Sequence, residues 1–510
     1  MVQVREQVAM WQIIQPDEPA REIVQRLKGG AVFSPKQIFD IHGDHVLAVD
    51  FFSGVQLTYR DIDRMSSVVC SKINMLGAVA GDRIVLAFGN TLEFVISYFA
   101  VLRQGMIAVP VDPDWSPEKV DQILEQTETR IILHQAGISI SKAGLNSVMI
   151  EYRNLILNEP ADVLDVTLEA NNPVAILYTS GTTGSSKGAV IKCGHFIENI
   201  VDYGLDLGVG AGTRFIVSMP MSHIDGWTYS TLQPFLFGAG AVITPPFNAR
   251  VAATFDRVVA DGGGNVFVCV PAMLSGLLRM KPRYRKNIHG RLDFVICGSS
   301  RLDESLKDAF ESAFGAPILE NYGSTEALLV AYYTKDVPFR SGSVGRIPAK
   351  CTVRIGDDGE IMIRSPYIFD GYYRNPDRTA AAFRDGWYLI GDIGTVDEDG
   401  YLFLGGRKGD VINRGGIKIN PRDIDDVIAS HPCVVDSATI GIENERASQD
   451  VYSFVQLSGD AGDLDEYLMA RLSPELRPLR VVRVPALPRN HLGKIVRAEL
   501  LALKIRFEHN

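Results

Sequence analysis

Short apolar runs separated by helix-like segments dominate the first part of the chain. "RIVLAF" (Arg83 to Phe88) precedes "FVISYFAVL" (from Phe94), which is followed by "GMIAVPV"; "RIILH" (Arg130 to His134), "NVFVCV" (Asn265 to Val270) and "RLDFVICG" are runs of the same kind. Strands this continuously apolar need cover on both faces, and alternating helices supply it, so the pattern predicts α/β layers. "FVISYFAVL" is stopped by Arg103 and Gln104. It falls short of the roughly 20 apolar residues a bilayer span needs and reads as a core helix. Asn90 with Glu93 reads as its N-cap and capping partner, and Gly105 as its C-terminal stop.

From about Ile355 the texture changes to shorter strands, "GEIMIRS" and "WYLIGDIGTVDEDGYLFLGG". After "GGRKGD" it changes again, to helix-like "RDIDDVIASHP" and "DLDEYLMARL" and strand-like "VVDSATIGI" and "DVYSFVQL". Gly405, Gly406 and Gly409 cluster at this change, which marks a boundary. The expected fold is α/β. A large N-terminal domain, residues 1–408, holds layered α/β subdomains and a small β-rich subdomain, and a small α+β domain, residues 409–510, follows. A chain of 510 residues is longer than one core usually spans, which fits this division.

Composition narrows the function classes. The formal net charge of −10 argues against a surface that coats nucleic acid. Six cysteines are scattered without a C-x-x-C pair, as expected of reduced, buried thiols in a cytoplasmic protein without a zinc site or disulfide framework. "MVQVREQVAMWQIIQPDEP" lacks the apolar core of a secretory signal. No membrane span is expected.

The strand-like "PVAILY" (Pro173 to Tyr178) runs into "YTSGTTGSSKG". Glycines let the backbone approach a ligand closely, hydroxyls donate to phosphate oxygens, and a lysine adds a point charge. A flexible Gly/Ser linker has the same composition but seldom follows a buried strand. G-x-x-x-x-G-K-[ST] is not present, because Lys187 is followed by Gly188 and Ala189. Further on, "NYGSTEA" from Asn321 sets an aromatic beside a glycine, then a threonine and a carboxylate. Asp392 in "WYLIGDIG" suits ribose hydroxyls, and "GGRKGDVINRGGIKINP" and "LPRNHLGKIVRAEL" follow. Singly, each has a bland reading: Tyr322 as core, Asp392 as a turn residue, Lys494 as a solvated helix start.

Together, in this order, these motifs resemble those of the acyl-adenylate-forming superfamily: acyl- and aryl-CoA synthetases, adenylation domains of peptide synthetases, and luciferases. The resemblance runs from "LTYRDIDR" at Leu57 to "GKIVRAEL". It implies that a carboxylate attacks the α-phosphate of ATP, giving acyl-AMP and pyrophosphate, and that a thiol then takes the acyl group and releases AMP. It implies that Thr179, Ser180, Gly181, Thr182, Thr183, Gly184 and Lys187 hold the β- and γ-phosphates. Tyr322, between Asn321 and Gly323, would stack on adenine, with Gly298, Ser299 and Ser300 walling the other side. Thr325 would contact the α-phosphate and Glu326 would bind Mg2+. Asp392 and Arg407 would hold the ribose, and Lys494 would bridge the carboxylate and the α-phosphate. No covalent nucleophile is implied; catalysis would come from positioning and charge stabilisation.

"PMSHIDGW" resembles the family's P-x-F-H-x-x-G, with Ser222 in place of the usual aromatic. His223 would sit by the acyl carboxylate, or else be a satisfied core histidine. Asp225, Gly226 and Trp227 would line the acid pocket. Asp225 has two readings: partner of a substrate ammonium, or N-cap of a helix over "GWTYSTL". The family usually has Asp or Lys at its hinge, where this chain has Gly409, a permissive residue that suits a mobile C-terminal domain. Gly415 and Gly416 would form the loop that meets the acceptor thiol. No carrier domain follows Lys494, so the acceptor is expected to be coenzyme A or the phosphopantetheine of a separate carrier protein. The expected function is an ATP-dependent carboxylic acid–thiol ligase. The alternatives are a stand-alone amino-acid adenylation enzyme and a non-catalytic nucleotide-binding relative.

Overall fold

The computed structural model describes residues 34–138, 144–158, 163, 165–179, 187–444, 448–459, 461–489, 495–497 and 499–502. The chain gathers into two compact units. The first runs to Phe339 and adds Pro348–Cys351 and Arg364–Tyr388; the second comprises Arg340–Ile347, Thr352–Ile363 and the chain from Leu389 on. A mixed α/β architecture with a large N-terminal and a small C-terminal part is the expected fold class.

In the first unit, β1 (Val46–Asp50) and β2 (Val55–Thr58) form an antiparallel pair. The runs read as strands then appear in turn: β3 (Arg83–Ala87), β4 (Ile107–Val111), β5 (Ile131–His134), β6 (Asn146–Met149), β7 (Pro173–Thr179) and β8 (Lys187–Lys192). These six make one sheet in the order β6-β5-β3-β4-β7-β8, parallel except for the antiparallel β7–β8 pair. Next come β9 (Arg214–Val217), β10 (Gly240–Ile243), β11 (Val266–Cys269), β12 (Phe294–Cys297), β13 (Ile318–Ser324) and β14 (Leu328–Tyr332). They join β1 and β2 in the order β2-β1-β10-β9-β11-β12-β13-β14, parallel from β1 to β13. Every residue of β4, β5, β9, β10, β11 and β12 is buried, as two-sided helical cover requires.

The helix Leu92–Arg103 forms where its apolar run stands, but its cap differs from the expectation. Thr91 is the N-cap, its hydroxyl accepting from Phe94 N at 3.3 Å. Asn90 is one residue too early. Its amide instead donates to the carbonyls of Met219 and Thr244, at 2.9 and 3.0 Å, and its oxygen accepts from Met221 N at 3.0 Å. Asn90 therefore ties down the segment that leads to His223. Gly105, one residue past the C-cap Gln104, takes φ +65°, the left-handed turn that glycine permits.

In the second unit, β15 (Ser343–Arg346), β16 (Thr352–Ile355), β17 (Glu360–Arg364), β19 (Trp387–Val396) and β20 (Tyr401–Arg407) lie in the order β16-β17-β19-β20-β15. Trp387 and Tyr388, which open β19, belong to the first unit, and within it they pair with the short β18 (Phe383–Arg384). A second sheet joins β21 (Ile412–Arg414), β22 (Ile417–Ile419), β23 (Val434–Asn444), β24 (Ser448–Leu457) and β25 (Arg480–Arg483). The helices Pro421–Ala429 and Leu464–Arg471 cover it with Ile424, Ile428, Leu464 and Leu468 against Ile412, Val451 and Val455, a small α+β core. All six cysteines are free, five of them buried. Among the described residues no helix is long and apolar enough to cross a membrane.

Candidate active site

Thr179, the last residue of β7, and Lys187, the first of β8, are direct partners across the antiparallel pair. The carboxyl end of β7 lies beside parallel β4, on the side where open α/β sheets place their ligands. Ser180, Gly181, Thr182, Thr183 and Gly184 fall outside the described residues, as does Lys494. Gly188 is required by close packing. A Cβ there would stand 2.8 Å from Ile176 Cγ2 and 3.0 Å from the Tyr178 ring.

The nucleotide motif forms a tight antiparallel turn from β13 to β14. Tyr322 pairs with Ala331, and the register shifts at Gly323. A Cβ on Gly323 would stand 1.8 Å from the Leu328 carbonyl, so only glycine fits. Tyr322 is 9% exposed. Thr325 and Glu326 occupy the turn itself. A Cβ on Gly298 would fall 2.0 Å from Asn321 Oδ1, so the end of β12 and the start of the motif are fitted to each other. Ser299 takes φ +66°, which is strained for a residue with a side chain. Its hydroxyl donates to Asp225 Oδ2 at 3.1 Å, and Ser300 beside it is exposed.

Asp225 lies in the first turn of the helix Ile224–Ser230, whose N-cap position belongs to His223. The capping reading of Asp225 is therefore wrong by two residues. The helix starts earlier because Gly226 must pack on the preceding turn, where a Cβ would meet the Pro220 carbonyl at 2.1 Å. His223 makes no side-chain capping hydrogen bond. Trp227 is fully buried, stacked on Phe196 at 4.6 Å and edge-on to Tyr98 at 5.4 Å. It fixes the helix that carries Asp225. Ser222, in the aromatic's place, is buried and donates to Asp112 Oδ2 at 3.4 Å.

One residue absent from the sequence reading connects two of the motifs. Tyr372 donates its hydroxyl to Glu326 Oε1 at 2.9 Å, and the Lys187 ammonium stands 5.2 Å from the centre of its ring. Burial, then the Glu326 charge, pushes the phenol above its ordinary range, so it remains a donor. Its only sequence signal is an aromatic pair after a glycine, "GYY".

In the second unit, Asp392 and Arg407 are direct partners across β19 and β20, with Arg407 Nε 2.8 Å from Asp392 Oδ1. Gly409 lies in a single 3-10 turn, Lys408–Asp410, with open space where a Cβ would point. Lys408 Nζ bonds Glu360 at 2.6 Å and Asp358 at 2.7 Å. Gly415 and Gly416 form the β21–β22 turn at φ +60° and +91°, with the Gly416 N–H donating to Asn413 Oδ1 at 3.1 Å.

The family model for AMP-binding enzymes matches residues 39–373, and the model for their C-terminal domain matches residues 423–494. The chain belongs to the AMP-binding enzymes. It is a ligase of the AMP-forming acyl-CoA synthetase type, within the acyl-adenylate-forming superfamily that the motifs resemble. Among similar proteins, an indoleacetate–CoA ligase of Aromatoleum aromaticum is 29% identical over 484 residues, 88% of this chain and 94% of its own. A probable CoA ligase of Humulus lupulus, CCL9, is 27% identical over 506 residues, 92% of this chain and 94% of its own. The crystal structure of ATP-bound MatB from Rhodopseudomonas palustris superposes with a TM-score of 0.83 at 23% identity, covering 92% of this chain and 99% of that one.

Proposed function

We propose that this AMP-binding enzyme activates a small carboxylic acid with ATP and passes the acyl group to the thiol of coenzyme A. The reading rests above all on one observation: Lys187 of the glycine-rich loop and Glu326 of the nucleotide motif meet through a single side chain, Tyr372. A lysine for phosphate and a carboxylate for a cation, held a tyrosine apart, are what a polyphosphate carrying a divalent ion requires.

In the first step the acid's carboxylate oxygen attacks the α-phosphorus, and pyrophosphate leaves. Thr179 and Lys187 would hold the leaving phosphates, Thr325 the α-phosphate, and Lys494 the charge shared between carboxylate and α-phosphate. Tyr322, Gly298, Ser299 and Ser300 would enclose the adenine, and Asp392 with Arg407 the ribose. In the second step the thiolate attacks the acyl carbon and AMP departs. His223 would stand beside that carbon, and Gly415 and Gly416 would leave the backbone bare for the pantetheine arm. Residues 409–510 would act as the mobile carrier of Lys494, turning at Gly409.

Among the described residues no group of three or more His, Cys, Asp or Glu could hold a metal by itself. A single carboxylate at Glu326, with Oε1 already accepting from Tyr372, suits magnesium, which takes one or two carboxylates and completes its shell with phosphate and water. When bound, magnesium supplies neutralisation of the charge that builds on the departing phosphates.

The CoA ligases that match over nearly the whole chain favour coenzyme A as acceptor. A screen of carboxylic acids for acid-dependent pyrophosphate exchange, with and without coenzyme A, tests the reading. The expected products are AMP and pyrophosphate, with thioester only when the thiol is present. Acid-dependent release of ADP would overturn it.

A further inference from the structure

The backbone around Tyr372 is fixed from every side. The Val190 N–H donates to the Gly371 carbonyl at 3.2 Å, and the Tyr373 N–H donates to the Gly188 carbonyl at 2.8 Å, so the segment lies along β8. Tyr372 N donates to Thr379 Oγ1 at 2.9 Å. Gly371 is held at φ +150°, with no room for a Cβ beside Thr379 Cγ2 at 2.5 Å. The Phe369 N–H donates to the Glu326 carbonyl at 2.8 Å, which pins the carboxylate's own backbone to the same segment, and the Phe369 ring packs edge-on against Tyr372 at 4.9 Å. Tyr372 as a whole is 9% exposed. The backbone of Tyr372 is thus held in place, while its hydroxyl and its ring meet two different motifs.

We propose that Tyr372 is a positioning residue of the adenylation site, its hydroxyl setting the Glu326 carboxylate for the metal and its ring holding the Lys187 ammonium for the phosphates. The inference rests on the reading that Glu326 holds the cation. A hydrogen bond to one carboxylate oxygen fixes the rotation of the group and so the direction in which the other oxygen is offered. An ammonium over an aromatic face within about 6 Å is attracted to the ring without the charge neutralisation that a carboxylate partner brings. A carboxylate in the tyrosine's place would have done the opposite.

The two halves separate by substitution. Tyr372→Phe removes the hydroxyl and keeps the ring; Tyr372→Leu removes both. The measurement is binding of Mn2+, followed by electron paramagnetic resonance, to full-length protein saturated with α,β-methylene-ATP, together with calorimetric affinity for that nucleotide in EDTA. Tyr372→Phe should weaken Mn2+ about tenfold, in the range found for outer-shell partners of metal ligands, and leave the metal-free nucleotide affinity unchanged. Tyr372→Leu should lower both. Glu326→Gln should weaken Mn2+ at least as much, and adding Tyr372→Phe to it should change nothing more. If Glu326→Gln weakens Mn2+ but Tyr372→Phe does not, Tyr372 is not a positioning residue and the reading of Glu326 stands. If Tyr372→Phe weakens Mn2+ equally with and without Glu326, the tyrosine acts by another route and the proposal is wrong. If Glu326→Gln leaves Mn2+ binding intact, the reading of Glu326 and the inference fall together.

Discussion

Asp392 and Arg407 face each other across β19 and β20, and their side chains are joined at 2.8 Å. The carboxylate is nearly buried, while the Arg407 side chain is 53% exposed. Pairing fixes the carboxylate's orientation at a strand position where the backbone is already held by the ladder. A ribose diol recognised by such a group is bound equally in ground and transition states. Asp392→Asn should therefore raise KM for ATP by about ten- to a hundredfold, the worth of a hydrogen bond to a charged group, with kcat little changed. Initial rates of pyrophosphate exchange against ATP concentration give both constants. A fall in kcat at constant KM would move Asp392 from binding to chemistry.

Glu320 precedes the nucleotide motif in β13, and burial pushes its carboxyl up to about 7, against a smaller opposing pull from Lys307. The folded chain thus holds a proton there that the unfolded chain has lost above about pH 4.5. Its contribution to stability is complete below that pH and disappears as the pH rises through 7. On the order of 2–3 kcal/mol should be lost between pH 5 and pH 8 through this residue. Denaturant unfolding of wild type and Glu320→Gln at both pH values checks this. The Gln variant should lose less stability than wild type, by about that amount. Equal losses would mean that Glu320 titrates normally.

The strands were readable because their apolar runs are continuous, which only burial on both faces explains; β3, β4, β5, β11 and β12 stand where those runs lie. Cap positions were not, because neighbouring residues compete for one role. Asn90 and Thr91 both suit an N-cap, and the choice was made by Met219, Met221 and Thr244, far along the chain. Asp225 was displaced from its expected cap by the fit of Gly226 against Pro220. The phosphate and nucleotide motifs were visible as local patterns of glycine and hydroxyl. Tyr372 was invisible because its partner Glu326 is 46 residues away and nothing local demands a tyrosine.

Among the described residues nothing stands where a Gly416 side chain would point, and its φ of +91° favours glycine. Gly416→Val should therefore strain the β21–β22 turn and fill the bare backbone without disturbing the core beneath it. Thioester formation from supplied acyl-adenylate should fall at least tenfold, while pyrophosphate exchange is kept. Lys494→Ala should show the reverse. The adenylation rate should drop about 100- to 1,000-fold, the scale of losing one preorganised electrostatic group. Both half-reactions measured on both variants decide the matter, and equal slowing of the two steps by Lys494→Ala would mean that residues 409–510 do not act as the mobile carrier of Lys494.

If Asp225 lines the acid pocket, as the motif resemblance implies, its carboxylate bears on which acid is taken. It accepts from Ser299 at 3.1 Å at the end of β12, and burial above all, with a smaller push from the Asp225 charge, raises the phenols of Tyr203 and Tyr229 above their ordinary range. A negative charge beside an acid pocket penalises a second anion on the substrate and rewards a hydrogen-bond donor, above all an ammonium or an arylamine. With 2-aminobenzoate, benzoate and phthalate as probes, kcat/KM should fall in that order. Asp225→Asn keeps the shape and removes the charge. It should raise KM for an acid bearing an ammonium by about thirtyfold, from roughly 2 kcal/mol for breaking one side of a desolvated charge pair, and should improve phthalate. Ser299→Ala should leave the order unchanged, since the charge remains. Phthalate as the best substrate of the unaltered enzyme, or an identical order in the Asn variant, would show that Asp225 plays no part in choosing the acid.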